Sequence, residues 1–562
     1  MAPSIEPEKA KHGSVQGSPE RSESGSEPAE FVAAEAPPEW SPSRHELLII
    51  LVLSMLSLNV SLDASVIITA LNAMVVDLDS NATQGFWIGT AYLLANAVTM
   101  PLIAAISDVF GRTLCLMCSL IFFTAGTILC CVASSITVLL VGRSLQGIGG
   151  GGVYVLSLVI FTDIVPLRFR PKWYGAILGA WALGTCTGPP IGGAIAAHTT
   201  WRWVFYMMFP ILGLGLVAVP LLLTLKPPAA SLQNRLSSVD WVGGLLFTGS
   251  MTSFLIAISW GGSQHPWSSV QTIVPLVLGT CGIAAAIGYE GWWAKRPVLL
   301  PALFHDLSST ITYICGGSQG LLLFGCFYYM AWFFIAVKQY SALDAGIALL
   351  PALVSTVPGS IVSGALVTRL GKYRWAIWTG WLLSTIGLAL TATLWDRDTS
   401  TPVWATSLVI LGLGQGAVLN AQNFAAQAQC KAGDEGAAAA MYGFVRQLGS
   451  ALGVGIGGSI FQNVMALKLG WQGLDTGIAA DSEAFVEVLK TLPDSSEFKM
   501  QVLDAYAFGF RGVFRAFLGL SAVCFLLSLM VKHHDMNRDI STVHKLEGTK
   551  SNAMVEFRIW KP

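Results

Sequence analysis

Three charged residues interrupt long apolar stretches of this sequence. They are Asp63 in Leu62-Asp63-Ala64, Arg143 in Gly142-Arg143-Ser144, and Arg446 in Val445-Arg446-Gln447. A buried charge is costly in an apolar medium, so each of these side chains needs a partner or a task. A buried carboxylate beside an arginine suits proton binding, because burial favours its neutral form and the cation its charged form. We predict proton coupling at Asp63 and Arg143, with a fixed ion pair as the alternative. For Arg446, a functional and a structural role are weighed equally.

A second group of charges lies in Ser107-Asp108-Val109-Phe110-Gly111-Arg112, and Asp163 ends a later apolar stretch. A carboxylate in such a turn can pair with Arg112 or lie at a helix N-terminus, where the dipole favours negative charge. We predict that Asp108, Gly111, Arg112 and Asp163 form a gate that holds two halves of the protein together when its inner side is closed.

A third pattern consists of small residues four positions apart, Gly184, Gly188 and Gly192, together with Pro189 and Gly193. Glycines at this spacing make a smooth face for close helix contact, and proline removes a backbone hydrogen bond. Two interpretations stay open. The motif forms either a thin, kinked helix that rocks against its neighbours or a static packing face.

Composition places these residues in a membrane. Of 562 residues, 53% are hydrophobic and 12% charged, with a mean hydropathy of +0.62. A soluble domain carries about 25% charged residues. The net charge of −1 gives no reason to expect nucleic acid as a partner. The chain is therefore predicted to be an all-α polytopic membrane protein.

Fourteen apolar runs are long enough to cross a bilayer, which needs about 20 residues per helix. They lie near residues 47–73, 86–106, 114–133, 137–162, 173–197, 203–225, 241–259, 271–290, 310–337, 344–367, 375–395, 403–427, 436–464 and 512–531. A Ser/Pro/Glu-rich tail, residues 1–45, precedes them and is expected to be disordered. The predicted domains are a six-helix bundle (46–225), two linker helices (226–308), a second six-helix bundle with a long acidic outer loop near 466–511 (309–531), and a tail (532–562).

Orientation follows from Lys and Arg in the short loops, which favour the cytoplasmic side. With the N-terminus inside, the six inner loops hold twelve such residues, namely Arg112, Arg168, Arg170, Lys172, Lys226, Arg235, Lys295, Arg296, Arg369, Lys372, Arg374 and Lys431. The short outer loops hold three, Arg202, Lys338 and Arg397. Both termini are thus predicted to be cytoplasmic. Asn81-Ala82-Thr83 in the first outer loop matches the N-glycosylation pattern.

Several other chemistries are excluded. Two matches to G-x-G-x-x-G, beginning at Gly147 and Gly453, lie inside apolar runs and lack the strand that a dinucleotide site requires. The sequence has no ATP-binding loop of the form G-x-x-x-x-G-K-[ST] and no Cys/His spacing typical of a metal site. We therefore expect no cofactor, no metal and no enzymatic activity.

Taken together, these stretches resemble the major facilitator superfamily, and within it the fourteen-span drug:proton antiporters. Ser107–Arg112 is similar to the signature between spans two and three, although Ala104 and Thr113 depart from it. Arg143 to Gly147 resembles the fourth-span motif linked to proton coupling, and Gly188-Pro189 the fifth-span motif of exporters. Further likenesses cover Leu62-Asp63, Trp87 to Leu94, Trp201 to Tyr206 and Asp240-Trp241.

The resemblance implies two six-helix bundles, spans 1–6 and 9–14, with spans 7 and 8 between them and a central cavity with alternating access. It further implies proton-driven export of a toxin, drug or secondary metabolite, since fungal members with such tails often have this role. We expect a monomer in the plasma membrane, or alternatively the vacuolar membrane, with protons, lipid and a bulky, largely apolar, neutral or weakly ionised substrate as partners. The candidate cavity-lining residues are Asn96, Tyr154, Gln319, Gln415, Asn420, Gln422 and Arg446.

Two other classes of function stay open. The first is an importer of the same fold, for a siderophore or a basic amino acid. The second is a membrane sensor or enzyme without transport, although no cluster of catalytic residues is found at a membrane face.

Overall fold

The structure, a computed structural model, describes residues 40–80, 82–224, 232–261, 264–294, 297–480, 482–493 and 495–537. The predictions for the tail up to residue 39, for Asn81, and for the C-terminal tail beyond residue 537 lie outside these residues. The chain divides into a unit Met1–Ser41 and a unit Pro42–Pro562. Within the described ranges, the second unit consists of helices and connecting loops.

The described residues form eighteen α-helices and one short 3-10 helix. These are α1 (Arg44–Asp77), α2 (Ala82–Phe110), α3 (Arg112–Cys131), α4 (Ile136–Ile164), α5 (Arg170–His198), α6 (Trp203–Tyr206), α7 (Phe209–Leu222), α8 (Leu232–Ser238), α9 (Trp241–Trp260), α10 (Val270–Trp292), the 3-10 helix (Pro301–Phe304), α11 (Leu307–Ala336), α12 (Ala342–Leu370), α13 (Arg374–Leu394), α14 (Thr401–Gln429), α15 (Glu435–Trp471), α16 (Gly477–Ala480), α17 (Ser482–Thr491) and α18 (Glu497–Ser528). In a bilayer core, helices satisfy every backbone hydrogen bond internally.

Among the described residues, thirteen segments are long and apolar enough to cross a membrane, with α6 and α7 together forming one of them. The fifth predicted span is also a helix of spanning length, α5, but it is not among the thirteen. Its glycines, threonines and prolines lower its hydropathy. This composition is tolerated because α5 packs closely against α1 on one side and α12 on the other. The all-helical membrane fold is confirmed, with thirteen of the fourteen predicted spans meeting this criterion.

Helix starts follow the capping residues in the sequence. Ser43 caps α1, with its side chain accepting from the Glu46 backbone while the Glu46 carboxylate accepts from the Ser43 N–H. This capping box satisfies two N–H groups that the first helical turn leaves without partners. Asp240 caps α9 in the same position, where its carboxylate accepts from the Gly243 N–H at 2.9 Å. The caps fix where the membrane helices begin.

The polar segment before the last helix is shorter than the sequence suggests. We expected the thirteenth span to end near 464 and the last to begin near 512, but α15 continues to Trp471 and α18 begins at Glu497. The added turns of α18 are amphipathic, so an apolar-run criterion misses them. The intervening α17 buries Val486 and Leu489, and the Tyr506 hydroxyl of α18 donates to the Ser482 carbonyl at 2.5 Å.

The N-terminal half (α1–α7) and the C-terminal half (α11–α18) meet mainly through α5 with α12, and through α2 and α4 with α15. Several hydrogen bonds between them lie at the end of the molecule that carries Arg112, here called the Arg112 end. Arg170 donates to the Gln427 side chain at 2.8 Å, and the Asn420 amide donates to the Pro171 carbonyl at 3.0 Å. Arg168 donates to Asn537 at 2.6 Å. The halves are therefore in direct contact at this end.

Candidate functional site

A fully buried ion pair joins α1 to α4. Arg143 Nη1 lies 2.7 Å from Asp63 Oδ2, and the two side chains are 1% and 0% exposed. Asp63 lies on α1 about 19 residues, or roughly 28 Å, after the first helical residue, at a rise of about 1.5 Å per residue. Burial of two opposite charges is tolerated only when geometry and extra hydrogen bonds offset their lost hydration. The structure thus brings together the two residues that the sequence singled out.

Neighbouring residues form hydrogen bonds with the remaining donors and acceptors of this pair. Arg143 Nε donates to the Ile88 carbonyl at 3.1 Å and Nη1 also donates to Gln146 Oε1 at 2.8 Å. The Gln146 amide in turn donates to Asp63 Oδ1 at 3.3 Å and to Thr127 at 2.9 Å. Gln146 therefore links both charges to α3.

An aromatic ring covers the arginine. The guanidinium carbon of Arg143 is 4.3 Å from the centroid of the Tyr92 ring, a distance at which the ring face attracts a cation. The Tyr92 hydroxyl donates to the Val60 carbonyl of α1 at 3.3 Å. Arg143 consequently retains Ile88, Gln146 and the Tyr92 ring as partners when Asp63 is neutral. Asp63 can therefore be charged or neutral while Arg143 keeps other partners.

At the Arg112 end, one guanidinium holds two carboxylates. Arg112 Nη1 lies 2.6 Å from Asp108 Oδ1, and its Nε lies 3.1 Å from Asp163 Oδ2. Asp163 is buried, whereas the Asp108 side chain is 50% exposed. Gly111, with φ of +101°, makes the turn between α2 and α3, a conformation that favours glycine. The four predicted gate residues therefore form one cluster.

This Arg112 cluster faces the start of α15 in the other half. A Cβ placed on Gly436 would lie 3.4 Å from Arg112 Nη2 and from Val159 of α4. Both acidic partners of Arg112 belong to the N-terminal half. The cluster therefore shapes the surface against which α15 closes, while the hydrogen bonds of Arg170 and Asn420 cross between the halves.

Three of the five residues in the fifth-span motif press against α1. Added methyl groups at Gly184, Gly188 and Gly192 would collide with Ser61, Ser65 and Val66, respectively. Gly193 has room for a methyl group, because a Cβ added there would lie 3.8 Å from its nearest neighbour, Thr69. The Pro189 carbonyl accepts from the Thr69 hydroxyl at 2.8 Å. The Ser65 hydroxyl likewise donates to the Gly184 carbonyl at 3.1 Å, so hydrogen bonds supplement the close contact of α1 with α5.

A small cavity, with a free volume of about 10 Å³, lies between the halves. Four of its lining residues come from α5 and the others from α1, α4 and α15; they are Ser57, Tyr154, Ser157, Tyr174, Ile177, Leu178, Trp181 and Arg446. Arg446 is the only one of these from the C-terminal half. The wall is aromatic and aliphatic, with hydroxyl groups and a single cation.

Two of the seven predicted cavity residues, Tyr154 and Arg446, line this cavity. The other five are buried between helices. Gln319 donates to Gln415 at 3.3 Å, and the Gln422 amide donates to the Thr312 carbonyl at 3.1 Å. The Asn420 amide bonds the Ser360 carbonyl as well as α5, and Asn96 is 4% exposed. Substrate contact by these five stays a prediction.

Several residues that complete the sites have no individual role in the predictions from the sequence. Gln146 follows Arg143 by one helical turn and so shares its face, a signal that was available. Tyr174 and Trp181 are seven residues apart on α5, again one face, and both line the cavity. Arg170 was counted only as a positive loop residue. Tyr92 offered no such signal, because its contact with Arg143 depends on how α2 packs on α4.

Comparison with known proteins adds an independent finding. The Major Facilitator Superfamily model matches residues 53–454. The chain is 37% identical over 508 residues to "MFS transporter L2" of Phoma sp., covering 90% of this chain and 85% of that protein. It is 33% identical over 538 residues to "Efflux pump FUS6" of Gibberella fujikuroi, covering 94% and 97%. The solved proton:xylose symporter XylE has a TM-score of 0.55 at 12% identity, covering 88% of this chain and 98% of XylE, which shows the fold alone.

Proposed function

The chain belongs to the major facilitator superfamily, and we propose that it is a proton-coupled antiporter that exports a hydrophobic small molecule. The observation that carries the proposal is the buried pair of Asp63 and Arg143. A fully buried carboxylate in a multi-pass membrane protein marks a proton or ion pathway by default. Arg143 also donates to the Ile88 carbonyl and to Gln146, so the ion pair can break while the guanidinium keeps hydrogen-bond acceptors.

Proton binding changes the attraction between α1 and α4. When Asp63 is charged, its ion pair with Arg143 ties the two helices. When Asp63 takes up a proton, the guanidinium keeps Ile88 and Gln146 while the charge–charge attraction is lost. A bound proton therefore biases the conformational equilibrium by the difference in pairing energy between the two states.

The cavity lies on the same helices as the proton site. Ser57 is six residues before Asp63 on α1, and Tyr154 is eleven after Arg143 on α4. A shift of α1 against α4 thus alters the cavity wall as it alters the ion pair. The glycine face brings α1 and α5 into close contact, and a rocking movement of α5 against α1 is part of this proposal.

We further propose two six-helix bundles joined by α9 and α10, with the Arg112 end in the cytoplasm and the protein in the plasma membrane. In this orientation the structure is closed on the cytoplasmic side, through Arg170, Gln427, Asn420 and Pro171. The names of the relatives support export, and the aromatic cavity wall suits an apolar toxin or secondary metabolite.

Accumulation of labelled hydrophobic compounds in cells tests this proposal. Cells with the protein should accumulate less of at least one compound than cells without it, and a protonophore should abolish the difference. Asp63→Asn should behave as the empty control at equal surface expression. Asp77→Asn is the matched control, because Asp77 lies on the same helix and also pairs with an arginine, Arg202 at 2.9 Å, but is 49% exposed.

The control is informative because Asp77 is not a proton carrier at neutral pH. A hydrogen bond from Trp201, followed by the bond from Arg202, lowers the pKa of the Asp77 carboxyl below its ordinary value. Raised accumulation in the wild type would instead indicate import. Export that persists unchanged in Asp63→Asn would contradict proton coupling through this pair.

A further inference from the structure

Arg446 differs from the other buried arginines of the N- and C-terminal halves in its partners. It is 2% exposed and follows the first residue of α15 by eleven positions, or about 16 Å, which is near the middle of a bilayer core about 30 Å thick. Arg112 and Arg143 each contact a carboxylate. Arg170 contacts none in the described part of the chain but donates to the Val165 and Thr162 carbonyls and to the Gln427 side chain. Within the residues that the structure describes, Arg446 forms no ion pair.

Two nitrogens of this guanidinium have vacant donors. Nε and Nη1 of Arg446 are buried and have no hydrogen-bond partner among the described residues. The cation lies 5.7 Å from the centroids of the Tyr154 and Trp181 rings, whose faces attract it without replacing a charged partner. An uncompensated charge at this depth is among the most costly arrangements in a membrane protein. Such a residue calls for a partner from outside the chain.

The surroundings of Arg446 fit a particular ligand. The lining of its cavity contains no carboxylate, and Ser157, one of the lining residues, has a buried hydroxyl without a partner among the described residues. Tyr174 and Trp181 supply flat apolar surface beside the cation. A carboxylate or similar oxyanion would take up the guanidinium donors in charge-assisted hydrogen bonds, while its apolar body lies on the aromatic wall.

We propose that Arg446 is the anchor for an anionic group of the transported substrate, whose class is an organic anion with an aromatic or conjugated body. The inference rests on the proposed export function for its transport step, but binding itself needs neither a proton gradient nor a direction. Neutral analogues lose the charge-assisted bonds, and cations are repelled by Arg446.

The position of Arg446 also gives the anion a role in the cycle. The other lining residues belong to the N-terminal half, so an anion held by Arg446 bridges the two halves. The free volume of the cavity, about 10 Å³, is roughly that of one water and far below the roughly 300–1,000 Å³ usual for ligand sites. A bulky substrate therefore needs the halves to separate around Arg446 before it enters.

Equilibrium dialysis of the purified full-length protein against radiolabelled 2-naphthoate and its neutral isostere 2-naphthamide tests the proposal. The wild type should bind the carboxylate about tenfold or more tightly than the amide, as a hydrogen bond to a charged group would give. Arg446→Gln should weaken the binding of 2-naphthoate by a similar factor and leave the affinity for 2-naphthamide unchanged. Arg446→Lys should retain most of the preference, since it keeps the charge.

Arg515→Gln is the matched control, because Arg515 lies on the neighbouring α18 but is exposed; it should bind as the wild type does. Equal binding of the two probes by the wild type, no binding of either, or an unchanged affinity for 2-naphthoate in Arg446→Gln overturns the proposal. The wild-type comparison stands even where a variant fails to fold. Anion binding without protonophore-sensitive export would leave this inference intact and contradict the proposed function. Protonophore-sensitive export without a preference for the anion would contradict this inference and leave the proposed function intact.

Discussion

Arg143 Nη1 lies 2.7 Å from Asp63 Oδ2 at a position where neither side chain reaches solvent. The same nitrogen also donates to Gln146 Oε1, and the Gln146 amide returns a hydrogen bond to Asp63 Oδ1. Asp63, Arg143 and Gln146 therefore form a closed ring that joins α1 and α4. Opening this ring is the smallest change that would couple a proton to movement of the helices.

The energetic coupling within the pair is measurable by a double-mutant cycle. Arg143→Gln leaves the buried Asp63 carboxylate without its cation, and removing one partner of such a pair costs about 3–5 kcal/mol. Asp63→Asn combined with Arg143→Gln removes both charges, so the double variant should unfold in detergent at a higher temperature than Arg143→Gln alone. A loss of stability in the double variant equal to the sum of the losses in Asp63→Asn and Arg143→Gln would show that the two charges are not coupled.

The glycine face of α5 predicts different effects for two glycines of one motif. Gly188→Ala would drive a methyl group into Ser65 and the α1 backbone, an overpacking that costs about 1–3 kcal/mol. Gly193→Ala has room, with the nearest atom 3.8 Å away, and should be neutral or slightly stabilising because alanine favours a helix. Thermal unfolding and initial efflux rates check both. Equal losses in the two variants would contradict the close contact of α1 with α5.

The Arg112 cluster predicts unequal effects for its two carboxylates. Asp163→Asn should slow turnover several-fold with little change in equilibrium substrate binding, because it weakens a buried pair that shapes the closing surface. Asp108→Asn should have a smaller effect, since exposed ion pairs contribute only about 0–1 kcal/mol. Turnover and the dissociation constant are to be measured on the same preparations. Loss of binding with normal turnover would contradict the gating role.

Much of the fold could be predicted from local sequence. The apolar runs define thirteen spanning segments, and the fifth predicted span is also a helix although its hydropathy is low. The pairing of Asp63 with Arg143 was predictable because charged side chains inside membrane segments commonly pair with one another. The early start of α18 at Glu497 was not, since its first turns are amphipathic and lie beyond the apolar run.

The cavity was harder to predict than the helices. Gln319, Gln415 and Gln422 are polar residues inside spans, as are Tyr154 and Arg446, but only the last two line the cavity. A polar side chain inside a span can face either the cavity or another helix. The packing of the two halves decides between these positions. The Gln319 and Gln422 amide nitrogens donate to neighbouring helices, whereas their oxygens and two nitrogens of Arg446 have no partner among the described residues. These contacts are set by packing in three dimensions and leave no mark in the local sequence.

Substrate-driven proton movement in reconstituted vesicles tests the central claim most directly. Purified protein is placed in liposomes that contain a pH-sensitive dye, and a compound identified by the accumulation assay is added on one side. The wild type and Asp77→Asn should move protons opposite to the compound, whereas Asp63→Asn should move none above the protein-free background. Proton movement at the wild-type rate in Asp63→Asn would contradict the assignment of Asp63 as the proton site.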